Sequence, residues 1–371
     1  MMLPVAPVLN LTAHLGHGVQ RIATDTAIGW TRALPREIAD LDATYLSALL
    51  RKPVTSVQVI GGDAGTSSRA RLRITGTDVP ETVFVKMAAK TAATRLMGEL
   101  GRLASTEVHF YRELAPHLSD VPACHGSAFD GLTGRFVLVL EDLAASGPCE
   151  FPDTLHPLTA DQAALVVELL ARLHATFWGR ADGYPWVYSA SKDATSLLTG
   201  TLAAASVRKL AGRTDIPVHN GQFIIDNYRA AATLIDRDPN TVMHGDAHPG
   251  NVYFRDGKAG LLDWQAVRRG HPGRELAYTL VTGMTTRDRR AHERDLLDVY
   301  RKALTAAGGP ELDGDDLLRR YRQGASYAYI ATLITSGMGG MQDDTIAMTG
   351  LARSVAALDD LDTVTELQRC L

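Results

Sequence analysis

Cysteine is scarce in this chain of 371 residues: only Cys124, Cys149 and Cys370 occur, odd in number, far apart and without metal-site spacing. That pattern argues against a secreted disulfide framework and points to a reduced, cytoplasmic compartment. No stretch approaches the roughly 18 apolar residues that span a bilayer, so no membrane span is expected. The opening MMLPVAPVLNLTAHLGHGV has no basic region before its apolar residues and is not expected to act as a signal peptide. Charge of one sign is also missing. The net charge is −4, and the short basic clusters Arg268-Arg269 and Arg287-Asp288-Arg289-Arg290 read as solvated surface. A nucleic-acid partner is therefore not expected. What remains is an ordinary globular composition, 45% apolar and 22% charged, in a chain long enough for two lobes.

The first 34 residues show weak periodicity and are expected to form an irregular arm. Pro35 is placed at the first turn of a helix through PREIADLDATYLSALL. The texture then changes. VTSVQVI (54–60), RARLRI (69–74) and TVFVKMA (82–88) alternate like strands between Gly-rich or Gly/Pro-containing turns. A helical segment over roughly 93–116 follows, then two more strands, ACHGSAFD and RFVLVLED. Beyond residue 150 the pattern is mostly helical, as in DQAALVVELLARLHATFW and DDLLRRYRQGASYAYIATLI. One non-helical island, TVMHGDAHPGNVYFRDGKAGLLDWQ (241–265), reads as a loop and a hairpin turning at Asp256-Gly257.

That island carries the chemistry. It contains His244-Gly245-Asp246-Ala247-His248-Pro249-Gly250-Asn251, and Asp263 ends an apolar strand twelve residues after Asn251. A simple polar turn would not need two acids and an amide at these offsets. Phosphoryl transfer would: it depends on positioning and charge neutralisation rather than on covalent help. One carboxylate can orient a hydroxyl and take its proton. An amide oxygen and a second carboxylate can hold Mg²⁺ against phosphates.

In these residues the sequence resembles the aminoglycoside phosphotransferase and choline kinase-like superfamily, and within it the ecdysteroid kinase-like group, over about residues 55–280. The resemblance implies Asp246 as catalytic base, Asn251 as a Mg²⁺ ligand and Asp263 as the principal Mg²⁺ ligand, with ATP as phosphate donor. His248 matches a second histidine often seen in the loop of bacterial members. Asp263-Trp264-Gln265 resembles the Asp-Phe-Gln form of that group. One departure stands out: an Asp-Leu pair that braces the catalytic loop in the superfamily is here Glu275-Leu276. Glutamate keeps the charge and adds a methylene, which leaves the bracing geometry open.

The first lobe offers separate signals. Lys86 sits within an apolar third strand, where an unpaired ammonium is costly, and would hold the α/β-phosphates. For its partner, Leu103, Glu107, Phe110 and Leu114 share one helical face, which favours Glu107 over Glu99 and Glu113. The segment Gly61-Gly62-Asp63-Ala64-Gly65-Thr66-Ser67-Ser68 is expected to be a loop over the phosphates, with Gly62, Gly65, Thr66 and Ser67 in contact. It lacks the Gly-Lys-Ser/Thr ending of a Walker A loop. RFVLVLEDL (135–143) resembles the superfamily's hinge strand, which implies adenine recognition by backbone groups around Glu141 and Leu143.

The expected fold is therefore α+β and two-lobed, like a protein kinase. An N-terminal extension and a five-stranded antiparallel N-lobe with one long helix occupy residues 1–140, a hinge 141–150, and a mostly helical C-lobe 151–371. A protein kinase is disfavoured, because only eleven residues separate Asp263 from Glu275 and no Ala-Pro-Glu follows. A non-catalytic nucleotide-binding pseudokinase would be expected to have lost one of the key residues. The expected partner is a small-molecule hydroxyl acceptor: a hydrophobic or sterol-like alcohol, with an aminoglycoside or choline-type compound as alternative. Trp178, Trp186, Tyr188, Tyr327, Tyr329 and Met338 are candidates for a pocket lining, and core packing accounts for each as well.

Overall fold

The computed structural model describes residues 5–65, 67–145, 147–189, 192–193, 195–339 and 342–371. The chain divides into two compact units. The first holds the residues up to Cys149 together with Asp263–Ala266; the second holds Glu150–Leu262 and Val267–Leu371.

The first unit opens with α1 (Val5–Ile28) and α2 (Ala43–Leu50). Five strands follow: β1 (Val54–Ala64), β2 (Ser67–Gly76), β3 (Thr82–Ala88), β4 (Cys124–Phe129) and β5 (Phe136–Glu141). They form one antiparallel sheet in the order β1-β2-β3-β5-β4. The two strands with the densest apolar runs, TVFVKMA and FVLVLE, pair at its centre, with Lys86 opposite Leu138. Leu72, Val83, Val85, Val137 and Val139 build the core, with Leu46 of α2 packed into it.

Four expectations change here. The opening residues are a helix, not an irregular arm. Its buried positions are Gly18 and Asp25 rather than an apolar stripe, so periodicity could not reveal it. A Cβ at Gly18 would lie 3.2 Å from the Glu99 Cβ, so the helix approaches the segment carrying Glu99 closely. Asp25 is anchored by ion pairs from Arg95 and Arg135. The helix expected from Pro35 instead starts at Ala43, because the Asp42 side chain caps it by accepting from the Tyr45 amide, 2.7 Å. The long helix is broken into α3 (Ala92–Leu100) and α4 (Leu103–His109), where Arg102 takes a left-handed φ of 55°. A π-helical turn over Phe110–Leu114 continues it. Finally, most of the Gly-rich segment is strand: β1 runs to Ala64 and β2 starts at Ser67, with Asp63 paired to Arg69 at 2.7 Å. Thr66 lies outside the described residues.

The second unit is helical around two small β elements. Its helices are α5 (Ala160–Phe177), α6 (Ser196–Leu210), α7 (Gln222–Asp226), α8 (Tyr228–Ile235), α9 (Pro272–Gly283), α10 (Thr286–Ala306), α11 (Gly314–Met338), α12 (Asp344–Asp360) and α13 (Thr363–Cys370). The island at 241–265 supplies β6 (Thr241–Met243) and the hairpin β7 (Val252–Arg255) with β8 (Lys258–Leu261). A further strand, β9 (Arg268–Gly270), pairs with β6. It is too short and too charged to stand out in the sequence. The helix α9 is buried along its whole length, starting at Pro272 behind the cap His271, which accepts from the Gly273 amide. No helix among the described residues is long and apolar enough to cross a membrane.

Candidate active site

In the first unit, β3 presents Lys86 toward the segment after Gly101, where Glu107 faces the sheet on the same stripe as Phe110. The Lys86 Nζ lies 2.7 Å from Glu107 Oε2 and 2.9 Å from Asp263 Oδ1. Both Lys86 and Glu107 are nearly inaccessible to water. Burial alone would lower the lysine, but the two carboxylates outweigh it and raise it, so the ammonium stays charged. Burial, together with the neighbouring Asp263 charge, pushes the Glu107 carboxyl up to about 7 against the pull of Lys86. Asp263 adopts a left-handed φ of 59°, a conformation that aspartate takes more readily than most residues. Trp264 stacks on Phe110, ring centroids 3.9 Å apart and planes 6° from parallel, which ties the segment carrying Asp263 to the helix carrying Glu107. The rival glutamates are engaged elsewhere: Glu99 with Arg21 at 2.7 Å and Glu113 with His109 at 2.7 Å.

Gly62, Gly65 and Ser67 lie around the β1–β2 turn, where the Gly65 amide donates to the Ser67 carbonyl, 2.9 Å. Ser67 is buried. Glu141 ends β5, and its amide donates to the Ala123 carbonyl at 2.8 Å. Adenine recognition through Glu141 would thus have to use its carbonyl oxygen. Leu143 follows, buried, while the Asp142 carboxylate pairs with Arg71 at 3.0 Å.

In the second unit, the loop between β6 and β7 holds Asp246 in a mesh of donors. The Tyr278 hydroxyl donates to Asp246 Oδ1 at 2.8 Å, and the Asn251 amide donates to the Asp246 carbonyl at 2.9 Å and to Oδ2 at 3.3 Å. Burial and the Asp246 charge hold Tyr278 well above the usual tyrosine range, so it remains a donor. The Asn251 nitrogen is thus committed to Asp246, and its amide oxygen is a donor of the hard type that Mg²⁺ prefers. His244 is fully buried; it accepts from the Asp246 amide through Nδ1 (3.2 Å) and donates from Nε2 to the Leu262 carbonyl (2.7 Å). Gly245 has a φ of 86°, which explains glycine directly before the aspartate.

Beneath the loop lies Glu275. Its Oε1 accepts from the Gly245 amide at 2.6 Å, and its Oε2 from the His244 amide at 3.1 Å and from His174 Nε2 at 2.9 Å. The bracing left open by the sequence is therefore present, with the longer side chain. Full burial would raise the Glu275 carboxyl, yet His174, His244 and the Gly245 amide together lower it, so it stays ionised. His174 is itself oriented by the Tyr300 hydroxyl, 2.9 Å from Nδ1. Tyr327 completes the support by donating to the Gly245 carbonyl at 2.9 Å.

Sequence reasoning missed His174 and Tyr278. A histidine on the apolar stripe of α5 is one signal for the first. For the second, a tyrosine three residues after Glu275 lies one helical turn along the same face. Among the described residues no three His, Cys, Asp or Glu side chains cluster as a metal site. Mg²⁺ does not require such a cluster, since it commonly takes one or two protein oxygens and completes its shell with phosphates and water.

A sequence profile of the phosphotransferase enzyme family (APH) matches residues 57–318. The chain belongs to this family. Among solved structures, its fold is similar to a provisionally assigned aminoglycoside phosphotransferase from Ralstonia eutropha JMP134, with a TM-score of 0.51 at 15% identity, covering 86% of this chain and 93% of that one. The choline kinase LicA from Streptococcus pneumoniae gives a TM-score of 0.49 at 15% identity, covering 85% and 97%. Such identities speak to fold alone. No curated protein matches the chain.

Proposed function

We propose that this family member is an ATP- and Mg²⁺-dependent kinase that transfers the γ-phosphate to a hydroxyl of a small molecule. The observation that carries this reading is the buried ammonium of Lys86 held between Glu107 and Asp263. A merely structural ion pair would need one carboxylate; a phosphate-binding lysine beside a metal-binding aspartate needs both. Lys86 holds the α/β-phosphates, and Glu107 fixes its position. Backbone groups of Gly62, Gly65 and Ser67 cover the phosphates, and those of Glu141 and Leu143 take adenine.

Asn251, through its amide oxygen, and Asp263 are the residues that would hold Mg²⁺; both offer the hard oxygens this ion prefers. When bound, the ion neutralises charge on the phosphates. Asp246 accepts the acceptor's hydroxyl proton as that oxygen bonds to the γ-phosphorus, while the bond from the γ-phosphorus to the β–γ bridging oxygen breaks and ADP leaves. Tyr278 and Asn251 fix the carboxylate, and Glu275 fixes the loop. We place the reaction in the cytoplasm, where ATP is plentiful and the free thiols Cys124, Cys149 and Cys370 stay reduced.

The test is Mg²⁺-dependent ADP formation with a panel of hydroxylated metabolites. Asp246→Asn is expected to lower turnover by about 10²–10⁴-fold while nucleotide affinity holds. Near wild-type turnover in that variant would sink the assignment.

A further inference from the structure

Three helices of the second unit converge beside Asp246. From α9 come Tyr278 and Thr282, from α11 Ala331, Thr332 and Thr335, and from α12 Ile346 and Gly350. Tyr278 and Thr282, Ala331 and Thr335, and Ile346 and Gly350 are each four residues apart, which puts each pair on one helical face. Together with Thr154, His248 and Gln342 they enclose an open cleft. Its catalytic end is marked by Tyr278, bonded to Asp246, and by His248, whose Nε2 lies 3.9 Å from Asp246 Oδ2. In the neutral ring that nitrogen carries the proton, because Nδ1 accepts from the Gly250 amide.

The cleft's composition is unusual for a site that binds cations. Among the described lining residues there is no aspartate or glutamate, and the rings are the Tyr278 phenol and the His248 imidazole. Polycationic aminoglycosides need carboxylates, and quaternary ammonium groups need a cage of rings. Four threonines stand there instead. The hydroxyls of Thr282 and Thr332 bond back to their own helices, at Tyr278 and Ala328. Those of Thr154 and Thr335 make no bond within the described residues. Of the acids near lining residues in sequence, Asp343 and Asp344 are exposed and Asp343 caps α12, Asp153 is turned to the Leu155 and His156 amides, and Asp246 stands at the catalytic end.

A positive charge stands behind this wall. Arg353 donates to the Thr154 carbonyl at 2.9 Å and to the Thr282 carbonyl at 2.8 Å, so it joins two lining residues. No carboxylate pairs with it among the described residues, and burial lowers its pKa without a compensating partner. A cationic ligand in the cleft would be repelled by this half-buried charge. An uncharged ligand would not.

We propose that this threonine-lined cleft is the acceptor site and that it selects an uncharged, hydroxyl-bearing molecule of mixed polarity, excluding cationic acceptors. This rests on the kinase reading above. Methyl groups of the threonines, Ala331 and Ile346 supply apolar contact, while the Thr154 and Thr335 hydroxyls and Gln342 orient the acceptor's polar groups. The reacting hydroxyl then lies at the Tyr278 and His248 end, within reach of Asp246.

The experiment compares four probes at saturating Mg·ATP: an uncharged steroid triol, an uncharged aliphatic diol, choline and kanamycin. ADP formation is expected to rise above its basal rate with a neutral probe and to stay basal with both cations. Ala331→Trp, which fills the cleft, is expected to raise the neutral probe's KM at least tenfold. Thr335→Phe narrows the same cleft more mildly and serves as the second variant. Thermal stabilisation by Mg·ADP should be unchanged in both, which shows that each is folded and binds nucleotide. Preference for choline or kanamycin, no acceleration by either neutral probe, or unchanged neutral-probe KM in both variants would each overturn the proposal. Loss of Mg·ADP stabilisation in the wild-type protein is a different result: it would remove the kinase reading itself, and this assignment with it.

Discussion

The carboxylate of Glu275 bridges the amides of His244 and Gly245, which lie on the loop just before Asp246. It is the buried anion on which that loop rests. Glu275→Gln would put an amide NH₂ against at least one of the donors His174, His244 and Gly245. A loss of about 2–3 kcal/mol in unfolding free energy is expected. Because the folded carboxyl is held below its ordinary value, its contribution is full above about 4.3, the unfolded glutamate value, and fades as pH falls through the depressed folded value. Melting curves between pH 7 and pH 3 should show the gap between wild type and variant closing only at the acid end. A gap that does not depend on pH would contradict an ionised Glu275.

Lys86 and Glu107 are 21 residues apart in sequence and in direct contact in space. Lys86→Ala leaves the Glu107 carboxyl buried without its ammonium, at an expected cost of about 3–5 kcal/mol in stability, and Glu107→Ala, which leaves Lys86 paired with Asp263, should cost less. The double variant should lose much less than the sum, and the same non-additivity should appear in turnover. Additive losses across the four-member cycle would show that the contact carries no coupling.

Asp263→Ala is expected to remove the Mg²⁺ dependence of nucleotide binding as well as activity. Calorimetry with ATP, with and without Mg²⁺, reads this directly. Unchanged affinity and unchanged Mg²⁺ dependence would count against a metal-holding role.

Tyr278→Phe deletes one hydroxyl and keeps the ring. The Asp246 carboxylate loses a fixed donor, so kcat should fall about tenfold with little change in the KM for ATP, since a neutral donor to a charged group contributes about 1.5–3 kcal/mol and only part of that is specific to the transition state. A raised KM for ATP at constant kcat would place Tyr278 in nucleotide binding instead.

The loop from His244 to Asn251 was legible because its chemistry is written in local spacing. The five-residue step from Asp246 to Asn251 folds into one turn whose amide reaches the carboxylate. The third-strand lysine was legible because a charge inside an apolar run must find a partner, and the helical stripe of Leu103, Phe110 and Leu114 singled out Glu107. Other features had no local signature of what they meet. His174 meets Glu275 across 101 residues, and nothing in α5 names its partner. The break at Arg102 depends on a left-handed backbone that sequence does not announce. The first helix hides because its anchor is an ion cluster. In the Gly-rich segment the glycines suggested a loop, whereas pairing with β2 keeps it extended.

The family match begins at residue 57, well inside the first unit, which starts before it. A fragment trimmed to that match would lose Asp25, and with it the counter-ion of Arg95 and Arg135, two guanidiniums that are almost wholly buried. Arg135 stands one residue before β5, the strand that pairs with the one carrying Lys86. The amino-terminal helix is thus a keystone rather than an appendage: take it out, and two buried cations are left stranded at the start of a central strand.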